Sequence, residues 1–123
     1  SLKIKNKGKF YLKNPHHKRS FCYISDAINQ IMFVSSSNKY KNGTFNIGSD
    51  KKETTMSNLT LQIHKIISRN DIKIISLRKD VNSSPKRRLP DMTLVKKNFR
   101  KYSQTSLEEG IFKTYIWYKK NYI

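Results

Sequence analysis

Two short runs hold the side chains best suited to chemistry. Arg19-Ser20-Phe21-Cys22-Tyr23-Ile24-Ser25-Asp26 places an arginine just before an apolar, aromatic and β-branched segment, with an acid where a helix would begin. A guanidinium anchored by a strand suits an anion such as a diphosphate, because its planar fork bonds two oxygens at once. The second run is Pro85-Lys86-Arg87-Arg88-Leu89-Pro90-Asp91. Its prolines stiffen the backbone so that Arg88 and Asp91 keep a set spacing, one offering a cation to phosphate and the other a carboxylate to ribose hydroxyls. Taken singly, the runs also read as ordinary surface: Arg19 as one more cation, Asp26 as a helix cap, and the basic stretch as a solvated loop or a short nucleic-acid patch.

The other reactive residues form no constellation. Tyr115 and Lys119 have Tyr-x-x-x-Lys spacing, yet with seven tyrosines and abundant lysine such a match is expected by chance, so they read as a packing aromatic and an exposed cation. His16 and His17 are neighbours in a turn and His64 stands alone on a helix, which is no three-ligand metal set. Cys22 is the single cysteine, so an internal disulfide and a thiolate-based metal centre are excluded, and its apolar surroundings predict a small buried hydrophobe.

The elements that must position these runs follow from hydrophobic period and turn chemistry. Lys9 to Leu12 reads as a strand stopped by Asn14-Pro15, and Phe21 to Ile24 as a buried strand, with Ser25 or Asp26 capping the next helix. Ala27, Ile28, Ile31, Met32 and Val34 fall at helical spacing up to Ser35-Ser36-Ser37. Asn42-Gly43 is a turn signal and Thr44 to Ile47 a further strand closed by Gly48. Thr55 or Ser57 caps a helix lined by Met56, Leu59, Ile63, Ile66 and Ile67; Ile72 to Leu77 is a strand, and Arg78 to Pro90 a loop. Asp91 or Thr93 opens a brief helix with Leu94, Val95 and Phe99. Ser106 opens the last helix through a capping box with Glu109, and Ile111, Tyr115, Trp117 and Tyr118 surround much of that helix. The order is mixed α and β, with too few strands for its helices.

Composition bounds the function. The 123 residues suffice for one small domain and exclude a two-domain enzyme with its own cofactor module. Lysine and arginine number 26 against 8 acids, a net charge of +18. Such an excess suits nucleic acid or another anionic surface, but the lysines are spread along the chain, as on a solvated lysine-rich surface, and not gathered on one face. Hydrophobic residues at 36% and aromatics at 11% are too many for a disordered basic tail and enough for a modest core. No apolar run approaches the ~20 residues of a membrane span and no signal-peptide core is visible, so a soluble cytoplasmic protein without membrane contact is expected. Ser1 stands where an initiating Met would, and with the shortage of strands this predicts a single fragment, residues 1–123, of a longer protein.

With Phe45-Asn46-Ile47-Gly48-Ser49 between them and Ser106-Leu107-Glu108-Glu109-Gly110-Ile111 after them, the two arginine runs stand in the order found in one family. The sequence from about Gly8 to Tyr118 resembles the C-terminal, substrate-binding part of the extended short-chain dehydrogenases that act on nucleotide sugars, the NAD-dependent epimerase/dehydratase family. The Pro-x-Arg-Arg-x-Pro-Asp form is closest to UDP-glucuronate decarboxylases and sugar-nucleotide 4,6-dehydratases. The resemblance implies an α/β fold carrying one edge of a Rossmann sheet, with the NAD-binding half and the catalytic Tyr and Lys upstream. It implies that Arg19 and Arg88 hold the diphosphate of a UDP- or dTDP-sugar, that Asp91 bonds the ribose or orients Arg88, and that the backbone around Phe10 to Leu12 faces the base. Tyr23 and Asp26 would be structural, and the full-length enzyme a homodimer. NAD would oxidise the sugar transiently at C4. The four glycines form no G-x-x-G-x-x-G, so this chain has no cofactor-binding or catalytic residue of its own and is expected to be inactive alone. Two departures are the turn Lys13-Asn14-Pro15-His16-His17, where the family has a Gly-rich one, and Arg100 to Thr105, which lacks the usual Gly and Pro. The competing function, from the charge, is a basic nucleic-acid-binding module.

Overall fold

The computed structural model describes residues 9–36, 38–67, 73–77, 84–99 and 104–122. Ile72, the stretch from Arg78 to Ser83 and the stretch from Arg100 to Ser103 lie outside them.

The first strand, β1 (Lys9–Lys13), ends at a turn whose Asn14 adopts φ 50, a left-handed conformation that asparagine tolerates. His17 N–H closes that turn on the Asn14 carbonyl at 3.1 Å. The chain re-enters as β2 (Lys18–Arg19), which lies between β3 (Thr54–Thr55), antiparallel, and β5 (Arg87–Arg88), parallel. Thus part of the stretch expected to be loop is a strand: Arg87 and Arg88 form the ladder with Lys18 and Arg19. A separate parallel pair joins β1 to β4 (Lys73–Leu77), with Phe10 opposite Ile74 and Leu12 opposite Ser76.

Phe21 to Ile24 is not the predicted buried strand. Ser20 N–H makes the last backbone bond of that ladder, to the Arg88 carbonyl at 3.4 Å, and beyond it Leu89-Pro90 cannot continue the pairing because proline has no N–H. The chain stays extended through Tyr23 (φ −70, ψ 143), unpaired, and Ile24 already belongs to helix α1 (Ile24–Ser35). Neither Ser25 nor Asp26 caps it. Asp26 lies in the first turn, where a carboxylate suits the helix dipole, and accepts hydrogen bonds from Thr105 N–H (2.7 Å) and Thr105 Oγ1 (3.2 Å). It therefore ties α1 to the chain entering the last helix.

The apolar stripe on α1 has the predicted spacing, but Ile24, Ile28, Ile31 and Met32 are 50–64% exposed, and the buried residue of α1 is Gln30. Helical period reveals which face is apolar; it carries no information about what covers it. After α1 a short 3₁₀ turn (Asn38–Tyr40) leads to the Asn42-Gly43 turn, where Asn42 has φ 65. Thr44 to Ile47 alternates between exposed and half-buried residues as a strand would, yet pairs with no strand among the described residues. Side chains take over here, with Asn46 Nδ2 donating to the Asp91 carbonyl at 2.9 Å.

Helix α2 (Met56–Ile67) begins as predicted: Thr55 Oγ1 accepts the Asn58 N–H at 3.2 Å. Its first amides reach back to the turn, Met56 N–H to the His17 carbonyl and Ser57 N–H to that of Pro15, so the α2 terminus braces the approach to β2. Helix α3 (Thr93–Asn98) follows Met92 as its N-cap, and Asp91, one residue earlier, bonds its first residue: Oδ1 accepts both the N–H (2.9 Å) and the hydroxyl (2.6 Å) of Thr93. Helix α4 (Leu107–Tyr122) has half of the expected capping box. Ser106 Oγ accepts the Glu109 N–H at 3.1 Å, while the Glu109 carboxylate pairs forward with Lys113 at 2.7 Å.

The core is small. Met92 and Val95 are 1% exposed, and beside them Phe33 stacks on Phe99 with ring centroids 4.5 Å apart, extended by Tyr40 and Phe45. No described helix is long and apolar enough to cross a membrane.

Candidate functional site

The three-stranded ladder decides where the arginines go. Parallel pairing sets Lys18 opposite Arg87 and Arg19 opposite Arg88, so four cations occupy two adjacent rungs about 4.8 Å apart across the strands. Like charges directly opposite one another are unfavourable. On the first rung the cost is met: Glu53, next to β3, receives Arg87 Nε on both carboxylate oxygens and Arg87 Nη2 on one, each at 2.8 Å. These bonds hold the Glu53 carboxyl below its ordinary range. The second rung has no such acid: among the described residues neither Arg19 nor Arg88 pairs with a carboxylate.

The Glu53 pairing predicts an acid-sensitive increment of stability. A carboxyl whose folded pKa is depressed contributes stability that is present above its unfolded pKa and disappears as pH falls through the folded value. Glu53→Gln should therefore lower the melting temperature modestly at neutral pH, since Arg87 is largely solvent-facing although the Glu53 side chain is mostly covered, and the gap should close below the usual carboxylate range. Parallel thermal melts of both proteins from pH 7 to pH 2 check this; a gap independent of pH would rule out the ion pair as its source.

Arg19 and Arg88 line an open cavity of about 610 Å³, with Arg87 at its basic side and Cys22, Gly48 and Pro90 among its other walls. Arg19 is pre-oriented: Nη1 donates to the Lys18 carbonyl (2.7 Å), and Nη2 donates to Ser84 Oγ (3.1 Å) and the Pro85 carbonyl (2.9 Å). A guanidinium has five N–H donors, so capacity for an anion remains. Arg88 has an exposed side chain with no polar partner among the described residues. Two arginines lining one cavity, with no acid paired to either among the described residues, present donors of the kind that an anion bonds.

The remaining candidates stand at different distances from this cavity. Asp91 follows the wall residue Pro90 but is not itself in the wall; its carboxylate serves Thr93, whose hydroxyl and amide hold it below its usual range. Phe10 and Leu12 lie on β1, away from the cavity. A second cavity of about 290 Å³ connects the two regions, since its lining includes both Arg19 and Lys13 at the end of β1. Asn14 borders that cavity with its Oδ1 buried and unpartnered. Tyr115 and Lys119 sit on α4, and neither lines either cavity.

Two further wall residues, Cys22 and Gly48, lie within the quoted motifs without a site role in the sequence reading. Cys22 is half-buried in the extended segment, not in a strand, and borders the arginine cavity. Burial, then the nearby Asp26 carboxylate, raise its thiol pKa despite an opposing hydrogen bond from Gln30, so it is a thiol at neutral pH. Gly48 is the other. A Cβ there would stand 3.1 Å from Pro90 Cγ, so glycine lets this wall close on the segment carrying Arg88.

The glycines also test for a dinucleotide cradle. Gly43 lies in the turn against Phe45, Gly48 abuts Pro90, and Gly110 is inside α4 against Tyr23, so none of the three leads a strand into a helix as a pyrophosphate turn requires. The described residues do not fit NAD.

No family model matches the chain, and no curated protein matches it. Among solved structures it is similar to dTDP-glucose 4,6-dehydratase from Bacillus anthracis str. Ames, determined in complex with NAD. The TM-score is 0.69 at 23% identity, over 93% of this chain and 35% of that one. The likeness establishes the fold: a mixed α/β chain built as about a third of that dehydratase chain is built.

Proposed function

We propose that this chain is the nucleotide-sugar-binding part of an NAD-dependent epimerase, dehydratase or decarboxylase, and that Arg19 and Arg88 grip the diphosphate. The observation carrying this reading is the second rung: two arginines paired by the ladder and lining one cavity, with no acid paired to either among the described residues. The fold shared with a dTDP-sugar dehydratase supports it. Arg19, already braced by Ser84 and Pro85, would meet one phosphate and Arg88 the other. Among the described residues β1 pairs on one edge only, with β4, so the other edge of Phe10 to Leu12 is free to bond a base. Asp91, whose carboxylate bonds Thr93 in the unliganded chain, would bond the ribose or orient Arg88.

The role is anchoring. Binding energy from the unreactive nucleotide holds the sugar where the reaction takes place, and that energy is realised through residues far from the reacting carbon. NAD supplies hydride transfer when bound, and it would be held by another part of the enzyme, as would the catalytic Tyr and Lys and the dimer contacts.

Calorimetric titration with UDP and dTDP tests the reading, with the single cysteine as an internal reporter. Saturable binding of at least one nucleotide is expected, and at alkaline pH, where the thiol ionises, the bound nucleotide should slow alkylation of Cys22 by iodoacetamide. Absence of both heat and protection with either nucleotide would overturn it. Tight, steeply salt-dependent binding of single-stranded RNA that survives Arg88→Ala would favour the nucleic-acid module instead.

A further inference from the structure

We infer that Gln30, on α1, is a positioning residue for the diphosphate cavity, acting through Gly48; the inference rests on the diphosphate reading above. Gln30 is 1% exposed in the middle of a helix whose Ile24, Ile28, Ile31 and Met32 are exposed. A buried polar side chain must find partners, and this one finds both backbone groups of a single residue. Its Nε2 donates to the Gly48 carbonyl and its Oε1 accepts the Gly48 N–H, each at 2.9 Å. That is the pair of bonds a neighbouring strand would make, supplied by an amide side chain to a segment that has no strand partner among the described residues.

The lock is reinforced from the other side. Gln104 Nε2 donates to the same Gly48 carbonyl at 3.0 Å, and Ser49 Oγ donates to Gln104 Oε1 at 2.8 Å. Gly48 in turn rests against Pro90, two residues after Arg88, at a distance no Cβ would allow without movement. Side-chain position is thus relayed from α1 through Gly48 and Pro90 to the segment bearing Arg88. The Arg88 side chain has no polar partner among the described residues, so its place over the cavity depends on its backbone, held by the β2 ladder on one side and by this contact on the other.

Gln30→Met keeps the volume and removes both bonds; Gln30→Glu keeps the acceptor for the Gly48 N–H but sets a carboxylate against the Gly48 carbonyl. With wild-type binding of UDP or dTDP in hand, Gln30→Met should raise Kd at least 10-fold while circular dichroism stays that of the wild type. Gln30→Glu should bind weakly at pH 8 and recover relative to the wild type as pH falls to 5, because a protonated carboxyl regains the donor. Loss of helix alone would not produce that recovery. Should Gln30→Met fail to fold, the Gln30→Glu profile carries the test. Wild-type affinity in both variants, or a Gln30→Glu deficit unchanged by pH, overturns the positioning role and leaves the diphosphate site standing. A wild-type chain that binds neither nucleotide overturns the diphosphate reading and this inference together.

Discussion

Replacing Arg88 by alanine should weaken UDP or dTDP binding about 10- to 100-fold and, in the unliganded chain, raise the melting temperature. The loss follows from removing charge-assisted hydrogen bonds, worth roughly 1.5–3 kcal/mol, at about 1.4 kcal/mol per tenfold in Kd. The gain in stability follows from the ladder. Arg88 sits directly opposite Arg19 and makes no polar side-chain contact among the described residues, so its removal relieves a like-charge pair worth roughly 0.2–1 kcal/mol and breaks no bond. Arg19→Ala should weaken binding comparably but lower the melting temperature, because it also loses bonds to Lys18, Ser84 and Pro85. Arg88→Lys keeps the charge without the planar fork and should fall between. Calorimetry for affinity and differential scanning for stability separate the two effects. If Arg88→Ala lost stability and kept affinity, Arg88 would be a structural residue and the cavity would need another anchor.

Met92→Ala is expected to produce the largest loss of stability, about 2–5 kcal/mol. Met92 and Val95 are the fully buried apolar residues of the described core, and Met92 also lies beneath Gly48, where its Sδ would be 4.0 Å from a Cβ. Truncation leaves a cavity under both α3 and the wall of the arginine site, so nucleotide affinity should fall with stability. Leu94, its neighbour two positions on, is 55% exposed, and Leu94→Ala should change stability by no more than about 0.5 kcal/mol. Urea denaturation of the two variants makes the comparison. Equal midpoints would show that α3 does not pack on the Gly48 wall as described.

Much of the local structure was legible. The Thr55 cap, the Asn42-Gly43 turn, the end of α1 near Ser35 and the Ser106 start of α4 each depend on contacts within about four residues, which a linear pattern displays. The misreadings concern partners distant in the chain. Phe21 to Tyr23 and Thr44 to Ile47 have strand composition, but a strand exists only where another chain segment meets its amides. Asp26 carries a capping side chain and is used instead to bind Thr105 across the fold.

The candidate site divides the same way. Arg19, Arg88 and the proline-stiffened run could be singled out by residue type and order, because the chemistry of a guanidinium and the stiffness of proline belong to the residues themselves. That Arg19 lies rung to rung with Arg88, that Glu53 pairs with Arg87 and not with either of them, and that Gln30 turns inward to hold Gly48 were decided by tertiary structure alone. Strand register, charge pairing and the satisfaction of a buried amide depend on which surfaces meet in three dimensions, and no local period in the sequence encodes that meeting.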